Sequence, residues 1–356
     1  MPGGVRDGGG NPAIYSMIII ITTTHTLGYE MLSKTIYINE IKENTKIDDI
    51  FLVQNKNIAA TKNGKPYIAL YLSDKTGTVK SRVWDNAEKL SKQFDAGDIV
   101  TVKAYSVIYQ GEIQLNINNI LRIADDDTDL TFFLPSSEND PEESIKELFI
   151  IIDSIKNPHL KKLLHTIFND ETIISSFKKA PAAKTIHHDY LGGLLDHTLS
   201  VTRLAIDISK HYNHIDPDLL ITGAILHDIG KTQELSYERN FDYTDVGRLV
   251  GHISIGVEML NDKIAQLPDF PTDLAIILKH LILSHHGKFE FGSPKRPKTL
   301  EAMMLHYLDD IDSKICAVTD YIEKESTPDS KWTAYNRLME RFFYTETYNK
   351  NNSSED

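Results

Sequence analysis

The chain runs to 356 residues, is 41% hydrophobic and carries a formal net charge of −13. That size provides for two or three domains with cores of their own, and the acidic balance excludes a protein that coats duplex nucleic acid through a generally basic surface. The single cysteine, Cys316, excludes an internal disulfide framework and fits a reducing, cytoplasmic setting; the apolar run Met17–Ile21 is too short for a membrane span and lacks the flanks of a signal peptide.

Residues 1–30, glycine-rich and without sustained periodicity, read as a disordered upstream extension. From 31 to 124 the apolar residues alternate in period two between turn signals. Phe51–Ala60 is followed by the Asn63-Gly64 hairpin pair, then Tyr67–Leu72 and Val79–Trp84. A short helix over Ala87–Phe94, closed by Gly97, precedes two more strands at Ile99–Tyr109 and Ile113–Ile123. Five strands with a helix between the third and fourth is the order of an OB-fold barrel. Residues 125–141, rich in Asp and Ser, read as a linker. Beyond it the period is helical, predicting helices at Glu142–Ser154, His159–Phe168, Glu171–Lys178, Leu191–His211, Pro217–Ile229, Val246–Ala265, Asp273–Ser284, Leu300–Ile322 and Lys331–Phe343. The expected architecture is multidomain β + α: an N-terminal five-stranded OB-fold barrel (31–124), an all-α domain (142–343), and a polar disordered tail (344–356).

The sign of the charge reverses locally. Between Phe51 and Ile123, ten Lys and Arg face six Asp and Glu, with Phe51, Tyr67, Tyr71, Trp84, Tyr105 and Tyr109 interleaved. Cations that track phosphates, mixed with rings that stack bases, are what single-strand binding needs. Lys65, Tyr67, Tyr71, Lys80, Arg82 and Trp84 are the candidate RNA contacts. Aromatics also pack inside barrels, so part of the set must serve the core.

In the helical domain, polar residues stand where the pattern asks for apolar ones. His197 falls in the inward stripe of Leu194, Val201, Leu204 and Ile208. His227-Asp228 closes an apolar helix, with Gly230 as its expected C-terminal cap and Lys231 beside it. His252 sits in a helix continued by Ile253, Val257 and Leu260, and His285-His286 ends another. Spacing from Ala302 and Leu305 turns Asp309 and Asp312 inward and leaves Asp310 with His306 and Lys314 towards solvent. One inward histidine is ordinary. Five inward His/Asp sites on separate helices, each costing about 1–3 kcal/mol if unpaired, are better satisfied together by a shared metal. Imidazole and carboxylate without thiolate suit Mn²⁺, Fe²⁺, Mg²⁺ or Ni²⁺, with Zn²⁺ as a further candidate.

The order His197, "HDIGK" at His227–Lys231, then a late Asp resembles the HD superfamily of metal-dependent phosphohydrolases. The segments "HHDYLGGLLDHT" (His187–Thr198), "GRLVGHISIG" (Gly247–Gly256), "ILSHHGKFEFGSPKRPKT" (Ile282–Thr299) and "LHYLDDIDSK" (Leu305–Lys314) are similar to YhaM-type 3′-5′ exoribonucleases, which join an OB-fold to an HD domain. The resemblance spans roughly Met31 to Phe343. It implies two divalent ions. His197, His227, Asp228 and Asp309 would hold one; Asp228 would bridge to a second on His252 and His285, with His286 as an additional or alternative ligand. It further implies hydrolysis of single-stranded RNA, with DNA as a further candidate, to nucleoside 5′-monophosphates, and a homo-oligomeric assembly. Asp228 and Lys231 are then the catalytic candidates, Lys231 contacting phosphate or leaving group. His187, His188, Arg296 and Lys298 are candidate phosphate contacts, and Asp312 a partner that orients a ligand. The rival readings are an HD phosphohydrolase of a small nucleotide, which would need no groove for a polymer, and a non-catalytic RNA-binding adaptor, which would need no intact ligand set.

Overall fold

The computed structural model describes residues 33–123, 129–184, 188–237 and 241–346. β1 (Lys46–Ala60), β2 (Pro66–Asp74), β3 (Gly77–Val83), β4 (Ile99–Tyr109) and β5 (Glu112–Arg122) close a barrel in the order β1-β2-β3-β5-β4, with a helical turn, α1 (Ala87–Leu90), between β3 and β4. Neighbours are antiparallel except β3 and β5. The expected OB order is present. Ile68, Leu70 and Leu72 of β2 meet Val79 and Val83 of β3, Val100 and Val102 of β4 and Leu115 of β5 in one core, each fully buried side chain contributing about 1.5–3 kcal/mol. Period two then sends Tyr67, Tyr71, Lys80 and Arg82 to the outer face.

The helices begin where an acidic or amide side chain can take up free N–H groups. Asp140, Asn157, Asp170 and Asp216 cap α2 (Pro141–Ser154), α3 (Pro158–Phe168), α4 (Glu171–Lys179) and α6 (Pro217–Leu226). Proline at the first position of three of them costs no hydrogen bond. α5 (Gly193–Ser209) and α6 lie at the centre; every residue of α6 from Leu219 to Leu226 is buried, so the helix is apolar all round. The described part of 125–141 packs between the two domains: Phe133 and Leu134 join Ile50, Leu52 and Ile99 in a small core, with Leu191 and Phe241 against it.

Three expectations differ from the structure. Gly230 is not a left-handed cap: its φ is −63°, and it starts a short α7 (Lys231–Glu234). Only glycine fits, because a Cβ there would lie 2.0 Å from His252 O and 2.7 Å from Gly256 N. The helix expected over Val246–Ala265 is two, α8 (Asp245–Val250) and α9 (His252–Ala265), broken where Gly251 adopts φ +78°; His252 is therefore the first residue of α9. Before them, β6 (Leu235–Ser236) and β7 (Asp242–Tyr243) form a two-stranded ribbon. α10 (Thr272–Ser284) and α11 (Leu300–Glu325) follow. Beyond α11 the helix expected at Lys331–Phe343 does not form. The chain folds back as a loose hairpin with bridges Trp332↔Tyr344 and Asn336↔Arg341, and Met339 N–H donates to Asn336 Oδ1. Its aromatics pair across the hairpin, and Asn336 bonds the local backbone in competition with a helix.

Candidate metal centre

The polar residues singled out in the helical domain converge. His197 comes from the buried face of α5, His227 and Asp228 from the turn after α6, His252 from the start of α9, His285 and His286 from the end of α10, and Asp309 from the middle of α11. The helix break at Gly251 and the close approach of Gly230 to His252 bring the α7 and α9 starts together, which sets His252 beside Asp228.

Asp228 divides the cluster. Its Oδ2 lies 3.6 Å from His197 Nε2 and 3.4 Å from His227 Nε2, while Asp309 Oδ1 is 3.3 and 3.8 Å from the same two nitrogens. Its Oδ1 lies 3.5 Å from both His252 Nε2 and His285 Nε2. His252, His285 and His286 form a second group whose ligand atoms lie within 4.8 Å of one another. Asp228 Oδ1, His252 Nε2 and His285 Nε2 are buried and have no hydrogen-bond partner among the described residues.

Each imidazole is oriented through its other nitrogen. Nδ1 of His197 donates to Asp312 (2.8 Å), of His227 to Ala224 O (2.8 Å), of His252 to Glu234 (3.0 Å), of His285 to Ile282 O (2.8 Å) and of His286 to Phe291 O (2.8 Å). In the neutral ring this leaves Nε2 as the lone pair aimed into the centre, the arrangement metal-bound histidines use. Burial opposes charge on Asp228, yet Lys231 and His227 hold its carboxyl well below the usual range. Burial likewise opposes a charged His197, but Asp309 and Asp312 hold it up to about 9. A field that attracts a proton so strongly attracts a cation to the same nitrogen. Burial pushes His285 down, and His286 down to about 4. The donor set fits divalent ions without thiolate.

Lys231 Nζ is 2.6 Å from Asp228 Oδ2, and both line a cavity of about 650 Å³ with His252, His286 and Asp309. Asp310, half-buried, pairs with Lys314 at 2.7 Å, and both stand on the wall of this same cavity rather than facing open solvent. His306 departs from expectation: it is half-buried, donates from Nδ1 to His285 O (2.9 Å) and lines the cavity, because Gly287 leaves room for its ring. His188 hydrogen-bonds Tyr190 Oη (2.8 Å) and reaches Asp312 at 3.4 Å, outside the set of His227, Asp228 and Asp309. His187 lies outside the described residues. Arg296 stacks on Phe289 at 4.9 Å, and the Lys298 N–H donates to His280 Nε2; neither lines the cavity. Sequence reasoning missed Glu234, three residues after Lys231, and Lys184 and Tyr243 on the cavity wall.

On the barrel, Tyr71 registers with Lys80, and Lys80 and Arg82 register with Gln114 and Asn116, so the candidate contacts share the outer face of β2, β3 and β5. Tyr67 and Trp84 pack with ring centroids 4.8 Å apart, and Trp84 Nε1 donates to Asn116. Lys65 extends to Asp85 at 2.7 Å, and Lys80 pairs with Glu112. Phe51 does not belong to this surface: it is fully buried, with Lys34 Nζ 3.7 Å from its ring centroid.

Residues 194–314 match the HD domain family, and residues 52–123 match the family described as OB-fold nucleic acid binding domain. An HD domain indicates a metal-dependent phosphohydrolase, and OB-folds of this family bind nucleic acid. Among solved structures, the second OB-fold domain of replication protein A from Methanococcus maripaludis is 22% identical, covering 25% of this chain and 93% of that one at a TM-score of 0.21. A mitochondrial single-stranded DNA binding protein from S. cerevisiae, Rim1, is 13% identical over 23% of this chain and 97% of that one, with a TM-score of 0.20. The HD domain of the L. monocytogenes phosphodiesterase PgpH is 19% identical over 45% of this chain and 76% of that one, with a TM-score of 0.28. No helix among the described residues is long and apolar enough to cross a membrane.

Proposed function

We propose that the protein is a 3′-5′ exoribonuclease that hydrolyses single-stranded RNA to nucleoside 5′-monophosphates. His197, His227, Asp228 and Asp309 would hold one divalent ion, and Asp228, His252 and His285, with His286, another; Mn²⁺ is the expected metal. One observation carries the reading: Asp228 faces two sets of lone pairs, one of them buried and without hydrogen-bond partners among the described residues. Left unmet, each such group costs about 1–3 kcal/mol. Ions bound there would supply Lewis-acid charge and a water made nucleophilic near neutral pH.

The chain's own residues supply the rest. Glu234 and Asp312 fix the His252 and His197 rings. Burial opposes charge on Lys231, but Asp228 outweighs it and keeps the ammonium charged at the cavity wall, where it would meet a non-bridging phosphate oxygen or the leaving group. The aromatic and basic barrel face favours a polymer over a small nucleotide, since a stacked base adds about 1–3 kcal/mol of binding away from the metals. The expected self-association has a candidate face in α11, which exposes Leu300, Met303, Tyr307, Ile311 and Ile315 along one stripe, opposite Asp309 and Asp312.

The test incubates the protein and Asp228→Ala with Mn²⁺ and 5′-labelled single-stranded RNA, beside a panel of cyclic dinucleotides, alarmones and dNTPs. Wild type should give ladders shortening from the 3′ end, while Asp228→Ala, with unchanged circular dichroism, should bind less metal and leave RNA intact. Turnover of a small nucleotide with RNA untouched would overturn the reading, as would full activity and metal content in the variant.

A further inference from the structure

The C-terminal hairpin, residues 327–346, takes no part in the metal centre or the barrel face. It folds back along α11, where Tyr321 Oη donates to Ala334 O at 3.0 Å and the Tyr321 ring meets Phe343 at 6.0 Å. That packing sets the hairpin tip, Leu338 and Met339, on the wall of the cavity that also holds Asp228, Lys231 and Asp309. Charged residues, Lys184, Glu234 and Lys314 among them, share that wall with apolar ones such as Leu235 and Phe291, and at the tip Leu338 is 69% exposed. Behind the tip stand two tiers of paired rings. Tyr335 and Phe342 have centroids 5.1 Å apart at 62°, and Trp332 and Tyr344 have centroids 5.1 Å apart at 59°. All four rings are exposed, Phe342 and Trp332 by more than half. Rings of this size normally bury 150–250 Å² each, so four left open on one short hairpin form an apolar surface left uncovered among the described residues.

Its place names the occupant. A single strand whose terminal phosphodiester lies at Asp228 must set the adjoining bases at the mouth of the same cavity, where the hairpin tip stands with the paired rings behind it in the chain. The surface is a narrow ladder that ends in the cavity rather than a flat patch, and Arg337 lies exposed beside the tip.

We propose that this hairpin is a base-stacking platform that seats the terminal nucleotides of a single strand at the metal centre, Leu338 and Met339 against the last base and the two ring tiers against those behind it. The inference rests on the nuclease reading of the centre. Only Trp84 and Trp332 are tryptophan, so in a Trp84→Phe background Trp332 reports alone. Titrating the metal-loaded protein with a hydrolysis-resistant phosphorothioate hexamer should quench its fluorescence saturably. Tyr335→Ala/Phe342→Ala should raise Kd for that hexamer, and KM for the unmodified, cleavable hexamer, roughly 5- to 150-fold, the range for one stacked base. That loss should exceed any change in kcat or in turnover of bis(p-nitrophenyl) phosphate, and Tyr335→Phe should restore binding. Unquenched Trp332, equal losses on both substrates, or an altered oligomeric state by light scattering with unchanged Kd would overturn the platform; the last outcome would make the hairpin a protein interface. Failure of the wild type to shorten RNA while the hexamer still quenches Trp332 would instead sink the nuclease reading.

Discussion

The division of the centre about Asp228 makes a prediction that two outer residues can test separately. Asp312 accepts from His197 Nδ1 at 2.8 Å and Glu234 from His252 Nδ1 at 3.0 Å. The first ring belongs to the set on Asp228 Oδ2, the second to the set on Oδ1. Removing a partner that orients a metal-bound histidine typically costs 10- to 100-fold in metal affinity, or about 1.4–2.7 kcal/mol. Asp312→Asn keeps an oxygen for the Nδ1 proton and loses only the charge, so the loss should lie near tenfold. Asp312→Ala also strips the bonds to Ser200 and His188 and should approach a hundredfold. Glu234→Gln should match the smaller loss in the other binding step. Isothermal titration with Mn²⁺ resolves the two steps, each variant weakening one by that amount while the other stays within about threefold. If both variants weaken the same step, or if neither Asp312 variant changes any, the two-set geometry does not describe how this protein holds metal.

Asp309→Asn should lose RNA hydrolysis by several orders of magnitude, whereas Asp310→Asn, which breaks a half-exposed pair with Lys314 on the cavity wall worth about 0.3–0.5 kcal/mol, should stay within a fewfold in the same rate assay; the reverse pattern would refute the face assignment. Trp84→Ala should weaken binding of long single strands roughly 5- to 150-fold, read by anisotropy, and wild-type affinity should fall with added salt as lysine–phosphate contacts release counterions. Unchanged affinity would return Trp84 to a packing role. Gly230→Ala should destabilise by about 1–3 kcal/mol or more, because the added methyl meets backbone that cannot swing aside. At about 2–4 °C per kcal/mol for a domain of this size, calorimetry should show a clear drop in Tm.

Much of this was legible in the residue pattern because the two periods are local properties of the chain. Alternation separated the barrel's inner residues, such as Ile68 and Leu70, from Tyr71 and Lys80, and helical spacing turned His197, Asp309 and Asp312 inward, since side-chain direction follows from φ and ψ alone. Other features depended on atoms distant in sequence. Phe51 and Tyr67 are both strand aromatics, and only barrel closure buried the first and left the second on the surface. Gly230 looked like a helix end; its need for glycine comes from His252 O, a neighbour twenty-two residues on. The C-terminal segment carried a helical spacing that ring pairs across its own hairpin overrode. Composition and spacing supplied the imidazoles and carboxylates, but which oxygen of Asp228 faces which pair of histidines is a relation among four elements, and only packing α5, α6, α9 and α10 around one point decided it.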